Sequence, residues 1–242
     1  MKLLEQWAKI VERIEILKGY DRRFYHVGAR DHKYVFNPPC PQRRLQDYEI
    51  DKGFTLPDEL HFVYSKIGNG GAGPDWGLWP IERWVPRQPE KPWILKDYDV
   101  ADQLTGVISI MHRYPSYDNC IVCNGGQIGK CVGYDNGAVV TNPVPSLAFE
   151  YSRWLDEDLE PFEVLTSLAD AGANTVEIVD QLLGERLGRR TFVKRVRCLR
   201  LLASYLDIGF DPNDERAHRR DGLDIELQKK FDEALNSRVK AE

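Results

Sequence analysis

The sequence predicts an α+β region followed by an all-helical region, divided near Glu160–Pro161. Three observations lead there. Apolar residues recur at helical spacing through the first 17 positions. Short β-patterned runs between residues 106 and 134 are separated by an Asn-Gly turn. Beyond Pro161 only helical periodicity is left.

The elements follow in chain order. Leu3, Trp7, Ile10, Ile14 and Leu17 share one face of a first helix, with Leu4 and Val11 beside them. Gly19 is its expected stop. Arg23–Val27 and Lys33–Phe36 read as two short strands, the second ended by Asn37-Pro38-Pro39. Residues 38–55 read as irregular and polar. A second helix starts near Pro57, buries Leu60, Val63, Tyr64 and Ile67, and closes at Gly68. A glycine-rich loop, 68–74, leads into a short strand with Trp76, Leu78 and Pro80 on one side. Residues 85–105 read as a surface excursion. Gly106–His112, Asn119–Cys123 and Ile128–Tyr134 read as strands, the last two joined by Asn124-Gly125-Gly126-Gln127. Ser146 is the expected N-cap of a helix carrying Leu147, Tyr151, Trp154 and Leu155 on one face. Helices follow at about 162–171, 174–183, 191–206 and 222–238.

Composition narrows the function class. The chain has 242 residues, 42% hydrophobic and 29% charged. That balance supports a packed core and excludes disorder of the whole chain. No apolar run reaches a membrane span. The N-terminus is charged throughout and does not read as a signal peptide. Five cysteines without an export signal fit reduced thiols in the cytoplasm. A net charge of −5 disfavours a general nucleic-acid binder.

The chemical motifs are each weighed against a structural role. Residues 68–73 spell Gly-x-Gly-x-x-Gly, but they follow a helix and lead into Pro74. A dinucleotide fingerprint follows a strand and opens a helix, so a tight turn is the better reading. His112, Cys120, Cys123 and Cys131 raise the question of zinc. Cys120 and Cys123 fall in one strand at an odd offset, which sends them to opposite faces and favours small core residues. Trp76, Trp79, Trp84 and Trp93 cluster in the sequence; with Asp75, Glu82 and Arg83 they offer a partner anchor, but core packing is favoured. Seven basic residues between Arg186 and Arg200 flank an apolar stripe and read as its solvated edges. No metal, cofactor or catalytic residue is expected.

The run from Leu56-Pro57 through Gly68-Asn69-Gly70-Gly71-Ala72-Gly73-Pro74 to Gly77-Leu78-Trp79-Pro80-Ile81 resembles the SUKH superfamily, which comprises bacterial immunity proteins and fungal cell-wall synthesis regulators. Gly106–Ile110, Cys120–Gly125, Gly129–Tyr134 and Phe149–Asp156 then fall in the family's order, so the resemblance covers about residues 1–160. The returning strand departs from the pattern at Cys131-Val132, and the segment 161–242 lies outside it. The resemblance implies a twisted, mainly antiparallel sheet flanked by helices, with 161–242 as a helical extension. It implies a non-enzymatic, cytoplasmic binding protein that neutralises a toxin of nuclease or deaminase type by occlusion. The alternatives are a regulatory scaffold for an endogenous partner and a metal- or cysteine-dependent enzyme. Asn69, Gly70 and Gly71 are then turn-holding residues. The expected partner surface is the neighbourhood of that turn and of the loop between the middle strands: Asp75, Glu82, Trp84, Tyr114, Tyr117 and Asp118.

Overall fold

The computed structural model describes residues 2–93, 104–114, 117–135, 138–139, 143–173, 177, 200, 202–209 and 225–239. The chain is α+β. Helices α1 (Lys2–Tyr20), α2 (Ala29–His32), α3 (Gln42–Lys52) and α4 (Asp58–Phe62) precede the sheet, and α5 (Leu147–Asp170) and α6 (Ile225–Val239) follow it. Strands β1 (Val85–Arg87), β2 (Val107–Tyr114), β3 (Tyr117–Val122), β4 (Cys131–Asp135) and β5 (Ala138–Val139) form one antiparallel sheet in sequence order. The β2–β3 and β4–β5 connections are short, as antiparallel neighbours allow, whereas residues 88–106 join β1 to β2. Among the described residues no helix is long and apolar enough to cross a membrane.

Two compact units divide the chain. The first comprises Met1–Glu15 and Asp31–Leu155, the second Ile16–Arg30 and Asp156–Glu242.

In the first unit, the stripe of α1 buries Trp7, Ile10 and Ile14, while Leu4 stays exposed. Trp7 meets Tyr151 of α5 edge-on at 5.0 Å. The side chains of β3 alternate as the pleat requires. Asn119 donates to Glu150 of α5, marking the inner face. Cys120 and Val122 join Trp93, Val107 and Val132 in a cluster on the outer face. Glu59 ties the helices together. Its carboxylate accepts the N–H groups of Leu147 and Ala148, both at 2.9 Å, and the Trp7 indole N–H at 3.2 Å. Ser146 adds its hydroxyl to the Phe149 N–H at 3.1 Å. An anion at a helix N-terminus satisfies orphan donors and the helix dipole together. A Glu59→Ala variant is therefore expected to lose about 2–3 kcal/mol in urea unfolding, and Glu59→Gln about half of that.

The second unit packs Leu17, Phe162, Leu202, Ala203 and Phe231 in its interior. Tyr20 stacks on Phe162 at 4.6 Å. Asp21 accepts the N–H groups of Tyr25 and His26 at 2.8 and 3.0 Å. The buried His26 faces Asp158 at 3.0 Å through Nε2, and Arg23 pairs with Asp207 at 2.7 Å.

Several expectations change. Arg23–Val27 is not a strand: Phe24 has φ 53° and Asp21 holds the following amides in a turn. Of 33–36, only Phe36 makes a β-bridge, to Gly71, because Lys33 and Tyr34 have positive φ. The segment read as irregular contains α3, closed by Gly53 in the left-handed conformation. Trp76 and Leu78 do not face one way: Trp76 is exposed and Leu78 buried. Positive φ at Asp75 and Gly77 breaks the alternation. The helix begun by Ser146 runs unbroken to Asp170, through Pro161. The expected helix at 174–183 and most of the basic segment 186–200 lie outside the described residues.

Candidate partner-binding site

The glycine motif is the scaffold of the site. α4 passes into a π-helical turn, Val63–Ile67, and ends at Gly68. The chain then reverses through Gly70 and Gly71, with φ 84° and 107°. A β-carbon on Gly70 would lie 2.6 Å from the Pro80 nitrogen, and one on Gly71 2.4 Å from the Val35 oxygen. Gly71 bridges Phe36 on one side and Leu78 on the other, and Leu78 bridges Met111. The turn is thereby joined to the edge of β2 that also carries β1. Gly73 faces the Tyr151 hydroxyl, which donates to the Ala72 carbonyl at 2.8 Å. Pro74 is buried. Leu56 is buried with its N–H on Glu49, and Pro57 precedes α4.

Asn69 links this turn to the surface. Its Oδ1 accepts the Ile81 N–H at 2.9 Å, and its Nδ2 reaches Glu82 at 3.4 Å. That fixes the 3₁₀ turn Ile81–Arg83. Between this turn and α3 lies a groove of about 500 Å³. Trp84 and Tyr48 supply its aromatic lining, Asp47, Asp51 and Glu82 its carboxylates, and Arg44 and Lys52 its cations. Trp84 is locked in place. Its indole N–H donates to Tyr64 at 2.8 Å, Tyr64 donates to the Trp79 carbonyl at 2.6 Å, and Tyr48 meets the indole edge-on at 5.3 Å. Burial pushes the Tyr48 phenol up to about 12. Glu82 pairs with Arg44 and Asp51 with Lys52.

The expected site residues separate. Glu82 and Trp84 both line the groove, although Trp84 is mostly buried. Asp75 is buried with φ 47°, and its carbonyl faces His32 at 3.2 Å. Tyr114 and Tyr117 pair at the β2–β3 end. Asp118 faces His112 at 2.8 Å and Arg87 at 3.4 Å. The sequence reading missed Asp47, Tyr48 and Asp51, because α3 carries a single fully buried residue, Leu45. Pro41 and Gly53 bracket that helix and were the available signals.

Cys40, Cys120, Cys123 and Cys131 are free and buried. Burial pushes the Cys120 thiol up to about 12 and raises Cys123 and Cys131 as well. Reactive thiols show the opposite shift. Cys120 lies 3.3 Å from Ser109. Among the described residues no three His, Cys, Asp or Glu side chains converge as metal ligands. No protein-family model, curated protein or solved structure matches this chain.

Proposed function

We propose that the chain is a non-enzymatic protein-binding module that neutralises a toxin of nuclease or deaminase type by direct binding and occlusion. The observation that carries this reading is the groove, with a fixed aromatic lining and three carboxylates against two cations, Arg44 and Lys52, at one place. A partner side chain entering there meets Trp84 without having to order it, which lowers the entropy lost on binding. Carboxylates on a chain of net charge −5 also steer a basic partner toward it. The resemblance across residues 56–81 supplies the toxin class, and the setting is the cytoplasm.

The test is protection of growth against a toxin encoded beside the gene. The unaltered chain is expected to protect. Asp47→Lys with Asp51→Lys is expected to weaken toxin binding about tenfold or more, with unfolding unchanged, because both side chains are well exposed. Absence of protection by the unaltered chain would count against toxin neutralisation. Capture of an endogenous enzyme instead would favour a regulatory scaffold.

A further inference from the structure

The outer face of the sheet carries a second arrangement, outside the groove. His112, Asp118 and Tyr134 stand opposite one another on β2, β3 and β4. Trp79 extends the row, stacked against His112 with ring centroids 6.1 Å apart. Two guanidinium groups lie on its aromatic rings: Arg83 over Trp79 at 5.7 Å and Arg87 over Tyr134 at 4.6 Å. The His112 and Arg87 side chains are 29% and 30% exposed, so the row is open to a partner.

The charges on this row do not balance. Asp118 is its carboxylate, and both its oxygens are engaged, Oδ1 by His112 and Oδ2 by Arg87. Arg87 is further committed to Ser109 at 3.2 Å. Arg83 is exposed and meets no carboxylate among the described residues. Its neighbour Glu82 turns to Arg44 and Asn69. On this row, then, a chain that is acidic as a whole holds an uncommitted guanidinium on an aromatic ring.

We propose that this row docks a carboxylate-bearing segment of the partner protein, with Arg83 as the anchor. The inference rests on the reading of the chain as a protein-binding module. Arginine presents a planar fork that matches a carboxylate with two parallel hydrogen bonds. The Trp79 ring holds that fork before the partner arrives, so less freedom is lost on contact. Trp, Tyr and Arg are also the residue types that dominate binding energy at interfaces. Glu82, of the groove, and Arg83, of the row, are consecutive in the 3₁₀ turn Ile81–Arg83.

The test uses two fluorescent peptides, hexaglutamate and hexalysine, in anisotropy titrations of the full chain at low salt. General electrostatics draws hexalysine to an acidic protein and repels hexaglutamate. Saturable hexaglutamate binding is expected nonetheless. Arg83→Ala should weaken it about fivefold or more, and Arg83→Lys should recover part of the loss. Trp79→Leu should weaken it as well, with Arg83 retained. Hexalysine affinity should be insensitive to Arg83→Ala and should fall with Asp47→Lys and Asp51→Lys. Failure of hexaglutamate to saturate, or binding unchanged by Arg83→Ala, overturns the Arg83 anchor. Loss of the hexalysine response alone counts against the groove and leaves the anchor standing.

Discussion

A Gly71→Ala chain is expected to lose about 4 kcal/mol of stability, as the sum of left-handed backbone strain and forced displacement of packed neighbours. The new β-carbon would sit 2.4 Å from the Val35 oxygen and 2.8 Å from the Asn37 nitrogen. Both are backbone atoms, so no side-chain rotation relieves the clash. The φ of 107° adds strain that alanine cannot avoid. Relief requires the Phe36–Gly71–Leu78 bridges to open, which also releases the Asn69–Ile81 contact behind the groove. Gly19→Ala is the matched control. Nothing lies within 4 Å of its β-carbon position, and it sits inside α1. That variant should gain up to about 1 kcal/mol from helix propensity. Urea unfolding followed by tryptophan fluorescence reads both. Similar midpoints for the two variants would contradict the turn geometry.

Stability is also expected to fall steeply in mild alkali. Burial raises the thiols of Cys120, Cys123 and Cys131, so the folded chain keeps protons that the unfolded chain releases. A group with a raised folded pKa stabilises fully below its unfolded pKa. That contribution declines as pH rises from there toward the folded value. With unfolded thiols ionising near pH 8.5–9, each contributes a loss of about 1.5 kcal/mol between pH 8 and 10, roughly 4–5 kcal/mol for the three. The buried phenols of Tyr64 and Tyr151 are raised likewise and extend the loss above pH 10. Urea midpoints at pH 8, 9 and 10 measure the slope. Cys123→Ala should flatten it by one thiol's share. A midpoint constant to pH 10 would mean that these thiols ionise within the fold.

The parts of the fold that announced themselves are those where periodicity and burial coincide. Trp7, Ile10, Ile14 and Leu17 were legible because a stripe at helical spacing has one way to hide. β2, β3 and β4 were legible from apolar runs bounded by glycine turns. Ser146 was legible because a hydroxyl before an apolar helical run caps it. What stayed hidden depended on contacts distant in sequence. α3 buries so little that no stripe shows, and its value lies in the groove that it forms with residues 81–86. The false strand at 23–27 has the right residue types, but Asp21 takes the amides that a ladder would need. Glu82 and Trp84 were found through the turn motif. Arg83 was weighed with the tryptophan cluster and set aside for core packing; Arg87 and Tyr134 were not found, because only the sheet register sets them beside Asp118.

Affinity capture from the native cell, run in parallel with the unaltered chain and with the Asp47→Lys, Asp51→Lys variant, tests the binding role most directly. A protein recovered in stoichiometric amount by the unaltered chain and lost with the variant is the expected result. Recovery of the same protein by both chains would show that binding does not use the groove. Recovery of nothing from cells actively producing a candidate toxin would contradict toxin neutralisation itself.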